Sequence, residues 1–194
     1  MRRFAAWPSY RPAARAGTGG GTPGACVRVL GLDPGSRITG YGLIEASAAG
    51  TRYLASGAIR VGSGDFNHRL AEIYRGVGAL VAEHRPDEIA IERVFVHRNA
   101  DSALKLGQAR GAALSATFVH AAALYEYSPR EVKLGIVGTG AADKTQVQKM
   151  VCALLGLEGA LGADAADALA LALCHAHGRA LRRAVGGAAA GGGA

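Results

Sequence analysis

Long apolar runs are missing from this chain, and so is any regular use of cysteine. None of its 194 residues falls in an apolar stretch of the roughly twenty positions that a membrane-spanning helix needs, so no bilayer crossing is expected. Cys26, Cys152 and Cys174 are odd in number and lack CxxC spacing, which argues against a disulfide framework or a zinc site and fits a reducing cytoplasm. Acid is absent from both ends. The segment before Cys26 carries Arg2, Arg3, Arg11 and Arg15, and the tail after His177 carries Arg179, Arg182 and Arg183. The formal charge of +7 therefore lies wholly in those ends, and between them basic and acidic residues are both 15. The front end is superficially like a transit peptide but has no apolar block of the secretory kind.

Hydrophobic residues make up 49% of the chain, enough for one sizeable core. Residues 1–25 and 179–194, rich in Gly, Ala and Arg without periodicity, read as a disordered extension and a disordered tail. The span 26–178 is left as one domain. Cys26 to Asp33, Ile38 to Ala46 and Arg52 to Val61 read as a three-stranded meander with a Pro34-Gly35 turn. Leu70, Ile73, Tyr74, Val77, Leu80, Val81 and His84 recur at helical spacing before Pro86, and Glu88 to Glu92 is a short buried strand, parallel to the first because a helix leads to it. A helix from Asn99 or Asp101 to about Ala123 is apolar nearly all round, so it is either central to the core or a subunit interface. Leu124 to Tyr127 is a fifth strand, and Ser128-Pro129-Arg130-Glu131 is a capping box. Helices follow over Lys144 to Leu155 and Ala163 to His177, with Gly178 placed to end the second. This order predicts an α/β fold of the ribonuclease H-like kind, a mixed five-stranded sheet flanked by helices.

Asp33 ends the first strand and Glu92 the fourth, and parallel neighbours bring such ends together on one edge. Alternation puts Gly31 and Ala90 on the same face, which leaves room for a close helix. Ala163-Asp164-Ala165-Ala166-Asp167-Ala168 suits that place, because its aspartates share a face among alanines with no basic partner. Converging carboxylates repel unless something neutralises them, and oxygen ligands alone suit magnesium or manganese. Two such ions roughly 4 Å apart can activate a water and stabilise the leaving oxygen of a phosphodiester. With those acids screened, the middle of the chain behaves as a basic surface suited to a polyanion. His175 and His177 lie roughly 16 Å beyond Asp164 along a helix, too far to join the same site.

The runs LGLDPGSRITGYGLIE, AIERVFVHRNADSALKLGQARGAAL and DAADALALAL resemble the RuvC-type Holliday junction resolvases, crossover junction endodeoxyribonucleases of the ribonuclease H-like superfamily. The match extends from about Val27 to His177. The resemblance implies that Asp33, Glu92, Asp164 and Asp167 are the catalytic acids and hold two Mg2+ ions, with Mn2+ as the substitute. It implies a homodimer that nicks two strands of like polarity across four-way junction DNA, leaving 5'-phosphate and 3'-hydroxyl ends, in recombination and repair alongside the RuvA and RuvB branch-migration proteins. Lys133 and Lys144 match lysines important for activity in the family, although by position alone both read as solvated helix-end residues. Phe95 matches an aromatic that wedges into the crossover, and Arg37, Arg93, Arg98, Lys105 and Arg110 are weaker candidates for phosphate contact. Two other readings compete. Actin-like ATPases share the Asp-x-Gly turn but need a second domain and a second such hairpin, and a junction-binding protein without cleavage would have an incomplete acid set.

Overall fold

A computed structural model describes residues 26–93, 100–159 and 161–190, with 180–190 described by their backbone alone. Val27–Asp33 (β1), Ile38–Ser47 (β2) and Gly50–Arg60 (β3) form the meander. Phe66–His84 (α1) leads to Glu88–Glu92 (β4), Ala100–Thr117 (α2) to Ala123–Tyr127 (β5), and Pro129–Val137 (α3), Lys144–Leu155 (α4) and Ala163–Ala190 (α5) complete the chain. The sheet order is β3-β2-β1-β4-β5, with the first three strands antiparallel and β1, β4 and β5 parallel. This is the mixed five-stranded α/β sheet expected from the sequence.

Each face of the sheet has its own core. On one, α1 and α2 cover Leu30, Leu32, Leu43, Ile89 and Ile91, and on the other α3, α4 and α5 cover Val29, Ile44 and Ala90. The small residues on the second face are what bring α5 down onto the strands. A Cβ added at Gly31 would stand 1.9 Å from the Ala168 carbonyl oxygen, and one at Gly40 would stand 2.1 Å from that of Asp164. Any side chain at either position would lift the helix off the sheet.

Local chemistry sets the helix ends. Asp65 caps α1 by accepting from His68 N, and Arg85 closes it in a left-handed conformation (φ 46°) just before Pro86. Ser128 and Glu131 form the expected capping box of α3, and α4 has a second one, Asp143 with Gln146, that the sequence reading passed over. Two expected ends move. α2 stops at Thr117 rather than near Ala123, since residues 118–122 must turn so that Ala123 can pair with Glu88. α5 runs through Gly178 to Ala190. Gly178 costs the helix only about 1 kcal/mol, the run Arg179 to Ala184 after it consists of strong helix formers, and Arg179 gains an ion pair with Glu88 at 2.9 Å. Among the described residues no helix is long and apolar enough to cross a membrane, and Cys26, Cys152 and Cys174 are unbridged.

Candidate active site

The parallel register of β1 on β4 pairs Gly31 with Ala90 and Leu32 with Ile91, so the next residues, Asp33 and Glu92, end side by side. Alternation turns both toward α5. Asp167 reaches the same place from the helix, and all three carboxylates line one open cavity of about 160 Å³. Lys133 and Lys144 line it as well. The first is carried by α3, whose start is set by the Ser128 box and Pro129, and the second is the residue after the Asp143 cap of α4. Neither approach is visible from chain position, because each depends on where a helix lands.

Burial pushes the Asp33 carboxyl up to about 7, helped by the Glu92 charge, a hydrogen bond between the two carboxyls and the charge of Asp167, with Lys144 opposing. A carboxyl-to-carboxyl hydrogen bond needs a proton between two groups that would otherwise both be charged. Lys144 Nζ stands 3.1 Å from Asp167 Oδ2, and the Lys144 side chain is 81% exposed. Its own pKa is raised by that hydrogen bond and by the charges of Asp167, Asp33 and Glu92. The Asp33–Glu92 hydrogen bond and the exposed Lys144 ammonium thus engage oxygens that a cation would otherwise take. Among the described residues no three His, Cys, Asp or Glu side chains are already closed around a single point.

The remaining expected residues are scattered around this centre. Asp164, one turn before Asp167, lines a neighbouring cavity with Ser56 and Arg60 and not the one holding Asp33, Glu92 and Asp167. Arg37 is exposed on the turn after Asp33. Arg110 is engaged within the protein: its Nε donates to the Glu92 carbonyl at 3.0 Å and its Nη2 pairs with Glu126. Arg93 also approaches Glu126, at 3.9 Å, and Lys105 pairs with Asp101 at 2.6 Å on the surface of α2. Arg110 therefore braces the end of β4, a role that needs Glu126, 16 residues away, and so carries no local signal. Phe95 and Arg98 lie outside the described residues. His175 is fully buried, and both its ring nitrogens are engaged inside the protein, by Tyr127 and Glu88.

Comparison with known proteins gives the family and the fold. The family model described as crossover junction endodeoxyribonuclease RuvC matches residues 29–175. The RuvC of Marinobacter nauticus is 59% identical over 149 residues, covering 77% of this chain and 85% of the relative. That of Chromohalobacter salexigens is 54% identical over 156 residues, covering 80% and 84%. The structure of Thermus thermophilus RuvC in complex with Holliday junction substrate superposes with a TM-score of 0.75 at 33% identity, covering 80% of this chain and 96% of that one. The yeast mitochondrial Holliday junction resolvase Ydc2, 14% identical with a TM-score of 0.60 over 79% of each chain, shares the fold. The sequence runs, the sheet order and these matches together establish that the chain belongs to the RuvC family of crossover junction endodeoxyribonucleases.

Proposed function

We propose that this chain resolves Holliday junctions by metal-dependent hydrolysis, cutting two strands of like polarity symmetrically and leaving 5'-phosphate and 3'-hydroxyl ends. The observation that carries the reading is the cavity where Asp33, Glu92 and Asp167 meet, with the Asp33 carboxyl driven to about 7 by burial and by its acidic neighbours. Like charges held this close raise one another's pKa unless a cation neutralises them, and the donors are all oxygen, which fits Mg2+, with Mn2+ as a substitute. Asp33, Glu92 and Asp167 would hold the metal, and Asp164, on the adjacent turn of α5, is the fourth acid of the proposal. Bound there, two divalent ions would supply Lewis-acid activation of a water and stabilisation of the leaving oxygen.

The protein's own residues would do the rest. Lys133 and Lys144 beside the acids are suited to holding the phosphate that enters the cavity. Arg37, Arg93, Arg98 and Lys105 are proposed as outer phosphate contacts and Phe95 as the wedge at the crossover, while Arg110 is better suited to bracing Glu92. Junction choice would then come from DNA shape and flexibility rather than base contacts.

Symmetric cuts call for two copies related by a twofold axis. The outer face of α2 suits that role: Leu104 is 61% exposed and the following turn leaves Phe118 and Val119 at 47% and 62%. Among the described residues, nothing beyond the helix's own adjoining backbone lies within 4 Å of a Cβ built on Gly107 or Gly111, so a second helix could approach there closely. RuvA and RuvB are the proposed assembly partners, and the cytoplasm the proposed setting. A synthetic four-way junction and a linear duplex of the same sequence, each incubated with Mg2+, test the reading. Paired nicks in the junction alone support it, and equal cutting of both substrates, or none, overturns it.

A further inference from the structure

The contact between α5 and the sheet is close, with Gly31 meeting the backbone of Ala168 and Ala172, Gly40 that of Asp164, and Gly42 the backbone and side chain of Leu169. All of these lie in the first ten residues of the helix and are apolar or steric. A directional contact beyond them fixes the helix along its axis, and Asp167 would move with any slide. His175 supplies one. It is fully buried, its Nδ1 lies 2.7 Å from the Tyr127 hydroxyl, and its Nε2 lies 2.6 Å from Glu88 Oε2. Tyr125 lies against the ring at 4.3 Å with a 39° tilt, and Tyr127 meets it edge-on at 5.8 Å. Arg179 holds the other Glu88 oxygen at 2.9 Å, so the clamp has a second grip on the same helix.

We propose that His175, gripped by Glu88 and Tyr127, is a positioning residue that fixes α5 along the sheet and so holds Asp167 opposite Asp33 and Glu92. The clamp and the site share their supports. Tyr127 is the register partner of Glu92, and its carbonyl accepts from Arg93 N at 2.8 Å, so the residue that grips the histidine also braces the end of β4. His175 lies eight residues beyond Asp167, about 12 Å along the helix, and touches neither metal nor DNA in this scheme. Displacements near 1 Å are enough to weaken a preorganised site by orders of magnitude, which gives an axial clamp its value. The inference rests on the metal-binding reading of the three acids.

Mn2+ titration of the metal-free full-length chain without DNA, following free ion by paramagnetic resonance, tests it separately from cleavage. Wild type should bind saturably and Asp33→Asn should not; absence of binding to wild type overturns the metal reading and the inference with it. Tyr127→Phe, which removes one oxygen, should raise the half-saturating Mn2+ concentration about three- to tenfold, and His175→Gln should raise it further. Val77→Ala, which opens the core on the opposite face of the sheet, should lower thermal stability without moving that concentration. Unchanged Mn2+ binding by a folded Tyr127→Phe, or an equal shift in Val77→Ala, overturns the clamp. Should His175→Gln fail to fold, Tyr127→Phe decides alone.

Discussion

Glu88 and Glu92 stand at the two ends of one short strand, on the same face and under the same helix, yet their surroundings have opposite character. At the Glu88 end the protein supplies its own cations and donors: although burial alone would raise it, hydrogen bonds from His175 and Arg179 and the Arg179 charge hold this carboxyl below its usual range. At the Glu92 end it supplies more acid. Asp33 and Asp167 join Glu92, and among the described residues the exposed Lys144 pairs with Asp167 while Lys133 lines the same cavity. The first end is finished as a structural contact, while the second is left with a charge deficit that a ligand can fill. Carboxylates alone do not mark the site; carboxylates without internal compensation do.

The sharpest break of this contrast is at the deficient end. Asp33→Asn or Glu92→Gln should reduce Mg2+-dependent junction cutting by at least about a thousandfold while the junction Kd stays within about threefold, because the lost oxygen serves metal rather than DNA. Single-turnover cleavage beside a binding titration measures both, and near wild-type cutting by either variant removes that residue from the site. Lys144→Ala should come next, slowing cutting by about tenfold to a hundredfold and lowering the slope of log Kd against log salt by about one, as expected for a single lost phosphate contact.

Stability should respond in opposite senses at the two ends. Glu88→Gln should destabilise the chain by about 1–3 kcal/mol in urea, since His175 and Arg179 lose a charged partner. Glu88 has a depressed folded-state pKa, so this difference should be fully present above its unfolded value of 4.5 and shrink as pH falls through the folded value. Asp33 is shifted the other way. Its ionisation in the metal-free fold is opposed from its unfolded value of 3.8 up to about 7, so Asp33→Asn should melt a few degrees above wild type at pH 8 and lose that advantage as pH falls toward 4. Saturating Mg2+ should reverse the order at pH 8, because only wild type gains from binding the ion.

Much of the frame was legible because its signals are local. Apolar runs, the Pro-Gly turn and the Ser128 box lie within a few residues of what they control, and Gly31 and Ala90 mark the place of a close helix by their size alone. The Asp143 box is equally local. What stayed hidden depends on partners far along the chain. Gly178 looks like a helix stop until Arg179 finds Glu88, 91 residues earlier, and His175, set aside in the sequence as too far from Asp164, has no visible role until Tyr127 and Glu88 enclose it. Lys133 and Lys144 carry no mark separating them from ordinary surface lysines, and only the placement of α3 and α4 turns them toward the acids. Arg110, a weaker candidate for phosphate contact, pairs with Glu126 and the Glu92 carbonyl, partners its own stretch of sequence does not name.

The most direct test follows the Asp33 and Glu88 carboxyl carbons by NMR during a pH titration, first without metal and then with Mg2+. Asp33 should titrate near 7 in the metal-free chain and fall well below neutrality once Mg2+ is present, while Glu88 stays below 4.5 throughout. An Asp33 carboxyl that titrates near 3.8 and ignores Mg2+ would contradict a charge deficit at that end of the strand.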